Sequence, residues 1–139
     1  DGLVGVDLDH CVIDGKPSPE AMALLDKLGA AYIEISPSGT GLRALGYGEQ
    51  LDAGVNGSLD GLKAEFYSTG RYLTLTGKTI KAGPLAPLVG FKATAESFRV
   101  AKKRLKLPRD RLQCHHRKTP NVRRARVKRG RKHLQVWGG

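Results

Sequence analysis

The sequence predicts an α+β or α/β fold, a sheet with a helix on one face. Three observations predict it. An apolar strand near the start ends in two acids. A capped amphipathic helix follows it. Four further strand-like runs are separated by Gly-rich turns. The order β-α-β-loop-β-β belongs to one packed sheet rather than to a bundle.

Leu3 to Asp9 is a buried strand, with apolar Leu3-Val4-Gly5-Val6 closing on Asp7-Leu8-Asp9. Residues two apart on a strand share a face, with Cα atoms roughly 6.5–7 Å apart. Asp7 and Asp9 therefore reach one divalent ion or two adjacent ones. Like charges on one face repel, and a cation between them relieves the repulsion. Asp14-Gly15-Lys16-Pro17 is a turn. Ser18-Pro19-Glu20 opens a helix, with Ser as the cap, Pro first in the helix and an acid in the first turn. Ala21, Leu24, Leu25 and Leu28 give that helix one apolar face, and Gly29 ends it. Tyr32 to Ile35 alternates as a strand, and Ser36-Pro37-Ser38-Gly39-Thr40-Gly41 is a Gly-rich loop feeding the strand Leu42 to Tyr47. Residues 48–61 are polar and Gly-rich, which predicts a loop. Leu62 to Tyr67 and Arg71 to Thr76 predict a hairpin about Ser68-Thr69-Gly70, and Gly77-Lys78 turns the chain away. Ala93 to Leu105 predicts a basic helix with Phe98, Ala101 and Leu105 on one side.

At 139 residues the chain has room for one domain and a tail. Its net charge of +11 is unevenly placed. Residues 1–90 hold seven Lys/Arg against eleven Asp/Glu, and residues 91–139 hold seventeen against two. The predicted organisation is a partial catalytic domain over 1–90 and a basic segment, irregular or helical, over 91–139. That segment reads in three ways: an arm for nucleic-acid phosphates, a solvated disordered arm, or the product of a shifted reading frame. The two cysteines, Cys11 and Cys114, stand in unlike contexts. They exclude a disulfide framework and fit a reducing cytoplasm. Cys11 reads as a small apolar residue, and Cys114-His115-His116 lacks the second cluster a zinc site needs. No apolar run approaches the roughly 20 residues of a membrane helix. The chain opens on Asp1 and enters a core strand at once, so an N-terminal part of the domain is expected to be missing.

Three signals belong together: Asp7 with Asp9, the loop Ser36 to Arg43, and Glu65 with Arg71. Gly39 and Gly41 let backbone N–H groups approach an anion, Ser36 and Ser38 donate hydroxyls, and Arg43 and Arg71 bring charge. Three acids, two arginines and a hydroxyl-rich loop are what phosphoryl transfer on a nucleotide needs. Tyr67 and Tyr72 read as packing residues.

The ordered trio resembles the primase–polymerase branch of the archaeo-eukaryotic primase superfamily, the bifunctional DNA primase/polymerase domain of phage and plasmid replication proteins. The matching segments are Val4-Gly5-Val6-Asp7-Leu8-Asp9-His10, Ile35-Ser36-Pro37-Ser38-Gly39-Thr40-Gly41-Leu42-Arg43, and Glu65-Phe66-Tyr67 with Arg71-Tyr72-Leu73-Thr74-Leu75-Thr76-Gly77. The resemblance implies an RRM-like mixed or antiparallel sheet, helices on one face, and catalytic acids on the sheet. It implies template-directed nucleotidyl transfer on single-stranded DNA by a two-metal mechanism. Asp7, Asp9 and Glu65 match the positions that hold Mg²⁺ or Mn²⁺. Ser36, Ser38, Gly39, Gly41, Arg43 and Arg71 fall in nucleotide-binding positions. A helicase domain or partner and nucleoside triphosphates complete the expected associations. Many family members have His where this chain has Arg43, which binds a triphosphate by charge but is no neutral imidazole.

Two other classes compete. One is a noncatalytic nucleic-acid-binding remnant with a decayed site. The other is a haloacid-dehalogenase-like phosphatase, which also opens on a strand ending in Asp-x-Asp. Here His10-Cys11 follows the second acid instead of a Gly-Thr-like pair. An EF-hand is excluded because Cys11 and Val12 stand at the fifth and sixth loop positions.

Overall fold

The computed structural model describes residues 2–106. The expectations for the rest of the basic segment, including Cys114-His115-His116, lie outside them. The described chain is α+β. Its main sheet has six strands in the order β6-β7-β1-β5-β4-β8. In chain order, β1 is Leu3–Asp9, β2 Val12–Ile13, β3 Lys16–Pro17, α1 Pro19–Lys27, β4 Tyr32–Ile35, β5 Leu42–Tyr47, β6 Val55–Leu59, β7 Leu62–Tyr67, β8 Thr79–Ala82 and α2 Phe91–Leu105. Every neighbouring pair in this sheet is antiparallel. Strands β2 and β3 form a separate small hairpin.

Strand β1 lies between β5 and β7 and alternates cleanly. Val4, Val6 and Leu8 are buried in a core shared with Ala21 and Leu25 of α1 and with Phe91, Ala95 and Phe98 of α2. Gly5, Asp7 and Asp9 take the opposite face, as the two-residue period requires. Helix α1 starts as expected: Ser18 caps it by accepting from the Ala21 amide at 3.3 Å, and Pro19 follows. Gly29, at φ 71°, lets the chain leave the helix in the left-handed conformation.

Helix α2 starts at Phe91, and its buried side is Phe91, Ala95 and Phe98. The expected stripe of Phe98, Ala101 and Leu105 is therefore corrected: Leu105 is exposed. The Phe91 and Phe98 rings meet Phe66 of β7, with centroids 5.8 and 5.2 Å away, and this fixes the helix rotation. Helix α2 thus packs on the same core as β1 and α1.

Two other expectations change. Residues 48–61 are not all loop. Val55–Leu59 is the edge strand β6, joined to β7 by the two-residue turn Asp60-Gly61, with φ 51° and 81°. Two positive φ values in succession are what such a hairpin demands, and Asp-Gly supplies them. Arg71 to Thr76 is no strand. Both edges of β7 are taken, by β6 and β1, so nothing is left for it to pair with. The segment Arg71–Lys78 instead crosses the face that carries Asp7. Leu73 fills the space over Gly5, where its Cδ1 would stand 2.7 Å from a side-chain Cβ. No helix among the described residues is long and apolar enough to cross a membrane.

Candidate functional site

The antiparallel register places one polar residue from each of five strands in a row across the open face. Asn56 pairs with Glu65, Glu65 with Asp7, Asp7 with Arg43, and Arg43 with Glu34. Directly paired residues share a face with Cβ atoms about 4.5–5.5 Å apart. One step along, Asp9 pairs with Lys63 and Lys63 with Ser58. Alternation in β7 puts Ala64 and Phe66 fully into the core and turns Glu65 to the Asp7 side. The three signals recognised separately in the sequence thus meet at one level of the sheet.

Each of the three acids has a cation. Arg43 Nη2 donates to Asp7 Oδ2 at 2.7 Å, with the two side chains 9% and 18% exposed. Lys63 Nζ stands 2.8 Å from Asp9 Oδ2, and Arg71 Nη2 stands 3.2 Å from Glu65 Oε2. Asn56 Nδ2 donates to the other Glu65 oxygen. The Asp9 carboxylate holds the Lys63 ammonium above its ordinary value, first by their hydrogen bond and then by charge, with Glu65 adding to it. Arg43 also donates from Nη1 to the Thr74 carbonyl, and its Nε is buried without a partner. A buried guanidinium with an unspent donor is a costly feature for packing alone.

Arg71 lies over the Tyr67 ring, 4.7 Å from its centroid. Tyr72 does not pack as expected; it is fully exposed. A cleft of about 280 Å³ opens beside Arg71 and Tyr67, and its lining includes Gly5, Leu45 and Leu73 together with Tyr67, Ser68 and Arg71.

The Gly-rich loop between β4 and β5 sits where β1 ends. Cys11 and Val12 amides both donate to the Thr40 carbonyl at 2.9 Å. Gly41 is held so close that a Cβ there would stand 2.4 Å from the Leu8 carbonyl oxygen. Ser36 Oγ accepts from the Gly41 amide at 3.2 Å and lies 2.9 Å from Ser38 Oγ, which is 3.1 Å from Thr40 Oγ1. The Gly39 and Thr40 amides also donate inside the loop, to the Ser36 carbonyl and Ser38 Oγ. The amides expected to face an anion are thus turned inward, and the exposed hydroxyls of Ser38 and Thr40 are what the loop offers. Cys11 is buried, as expected. Burial raises its thiol above the ordinary value, with the charges of Asp9 and Asp7 adding to the effect.

Glu34 was not singled out by the sequence. Its carboxylate is fully buried and accepts from Tyr32 Oη at 2.9 Å and from the Thr76 and Gly77 amides at 3.1 Å. That hydrogen bond, burial and the carboxylate charge raise the Tyr32 phenol above its ordinary value. The strand alternation of Tyr32 to Ile35 marks Glu34 as polar, but its backbone donors, the Thr76 and Gly77 amides, lie more than forty residues away and leave no local signal.

Asp7, Asp9 and Glu65 offer hard oxygen donors of the kind Mg²⁺ and Mn²⁺ take, on adjacent positions of one face. Among the described residues no three His, Cys, Asp or Glu side chains converge as a metal site. Each acid is turned to its cation instead.

No family model matches the chain. Over 82 residues the chain is 38% identical to the DNA primase-polymerase of Nitratiruptor phage NrS-1. The aligned region is 56% of this chain and 11% of that protein, so the chain spans a small part of the relative's length.

Proposed function

We propose that this chain carries the acidic and nucleotide-binding part of a primase–polymerase site, acting in template-directed nucleotidyl transfer during replication of a phage or plasmid. The observation that carries the proposal is the cross-strand row: Glu65, Asp7 and Arg43, from three distant motifs, stand side by side on β7, β1 and β5. The similarity to a phage primase-polymerase supports the same reading.

In the proposed reaction a 3′-hydroxyl oxygen attacks the α-phosphorus of a nucleoside triphosphate. The bond from that phosphorus to the bridging oxygen breaks, pyrophosphate leaves, and the hydroxyl proton passes to solvent. Asp7, Asp9 and Glu65 would hold two Mg²⁺ or Mn²⁺ ions, which when bound acidify the hydroxyl and offset charge on the phosphates. Arg43, Lys63 and Arg71, released from the acids, would hold phosphate oxygens through charge-assisted hydrogen bonds. Ser38 and Thr40 would donate from the loop. The cleft beside Tyr67 offers an apolar wall for a base or sugar.

The test is calorimetric titration of Mn²⁺ and a non-hydrolysable deoxynucleoside triphosphate into the chain and into its Asp7→Asn/Asp9→Asn variant. Binding of the pair by the parent only is expected. Equal binding by both would sink the assignment of the two acids. The noncatalytic reading has one observation in its favour, the cation on every acid. It predicts salt-sensitive DNA binding that is indifferent to Mn²⁺ and to the acids.

A further inference from the structure

Glu34 ends the polar row, and its setting differs from that of the other acids. It takes part in none of the ion pairs among the described residues, yet it is 0% exposed. A carboxylate in such a place persists only if donors surround it. Two of its donors are backbone amides, Thr76 and Gly77, from the segment that crosses the open face. The Thr76 hydroxyl fastens the same end, donating to the Ile35 carbonyl at 2.6 Å.

That segment touches the row at two further points. Thr74 offers its carbonyl to Arg43, and Arg71 reaches Glu65. The strap, Arg71 to Gly77, is therefore tied to three members of one row, Glu65, Arg43 and Glu34, and besides them to Ile35 and Tyr67. These ties differ in strength. The Arg71 side chain is 56% exposed, and such a surface pair holds little by itself. The Glu34 end is buried and multiply bonded. Glu34 fixes one end of the strap; at the other, three residues separate Arg71 from β7, and Arg71 donates to Tyr67 Oη at 2.9 Å and lies over that ring.

We propose that Glu34 is a positioning residue for triphosphate binding: by holding Thr76 and Gly77 it lays the strap along the row, so that Arg71 and Arg43 are presented to the same ligand. This rests on the nucleotide-binding reading of the site. Glu34 is too deeply covered to touch the ligand and acts through the strap alone.

The experiment is a double-mutant cycle on Glu34→Gln and Arg71→Gln. The probe is an α,β-imido deoxynucleoside triphosphate with Mn²⁺, titrated calorimetrically, with amide hydrogen exchange followed in the ligand-free chains. Glu34→Gln keeps the size of the side chain but removes its charge and replaces one of the two accepting oxygens with an N–H donor. Its affinity for the probe is expected to fall about tenfold, the scale of one charge-assisted hydrogen bond. Arg71→Gln is expected to cost about as much in the parent chain but less than about twofold in the Glu34→Gln background, because the strap no longer delivers the arginine. Exchange should accelerate at Thr76 and Gly77 and stay slow in β1 and β5. Thr76→Val loosens the same end by removing the bond to the Ile35 carbonyl, leaves the Glu34 carboxylate in place, and should reproduce the loss of Arg71 dependence. An Arg71 effect that survives in full beside Glu34→Gln and Thr76→Val would overturn the proposal. So would exchange that accelerates everywhere, which marks a purely structural residue. Failure of the parent chain to bind the probe, with Thr76 and Gly77 protected, would instead overturn the nucleotide reading on which the positioning role rests.

Discussion

Asp7 has neighbours of opposite character on its two sides: Glu65 on β7 and Arg43 on β5. The alternation of Val4, Val6 and Leu8 with Gly5, Asp7 and Asp9 made its face legible from the sequence alone, because β1 is central and its two faces meet such different surroundings. What the sequence did not disclose is that each acid already has a cation. Those partners come from strands and a strap whose arrangement no local pattern encodes. The pairs are not equivalent. Arg43 and Asp7 are mostly covered, so Arg43→Gln leaves a carboxylate and the Thr74 carbonyl without their donor and should cost about 3 kcal/mol of stability. Lys63 is half exposed, and Lys63→Gln should leave the melting temperature unchanged. Denaturant unfolding of the two variants checks the contrast. Equal losses would mean that burial does not distinguish the pairs.

At the scale of elements, α1 was legible because its signals are local: Ser18 and Pro19 at one end, Gly29 at the other. The hairpin of β6 and β7 had its turn signal, Asp60-Gly61, but Val55-Asn56-Gly57-Ser58-Leu59 is a weak strand sequence and hid behind its polarity. The strap failed in the opposite way. Tyr72 to Leu75 alternates like a strand, and only the occupied edges of β7 forbid the pairing. The loop of Ser36 to Gly41 was correctly placed, but its amides are spent on holding its own shape. That shape depends on Gly41, whose absent side chain lets the loop lie on the end of β1. Gly41→Ala would push a methyl against a backbone carbonyl that has little room to move, and should cost about 1–3 kcal/mol. Thermal unfolding reads this directly, and an unchanged melting temperature would show that the loop is free to lift.

Across the whole described chain, three groups titrate above their ordinary values: Cys11, Tyr32 and Lys63. The folded chain then keeps protons that the unfolded chain has already released. Stability from the thiol and the phenol is complete below pH 9.0, the ordinary thiol value, and falls as pH rises through 10.0 for the phenol toward the raised folded values, while the exposed Lys63 pair adds little. The melting temperature should decline between pH 9 and 11, and Cys11→Ala should flatten the first part of the decline. A melting temperature that rises over this range would contradict the environments described for these groups.

The central claim is that acids on β1 and β7 serve nucleotidyl transfer. It is tested most directly by nucleotide incorporation on a primed single-stranded DNA template with Mn²⁺, comparing the chain with its Asp7→Asn/Asp9→Asn variant. Both variant side chains keep an oxygen for Arg43 and Lys63, so the fold is retained while the carboxylate charge is lost. Incorporation by the parent and none by the variant is the predicted result. Incorporation by the variant at the parent's rate would contradict the claim.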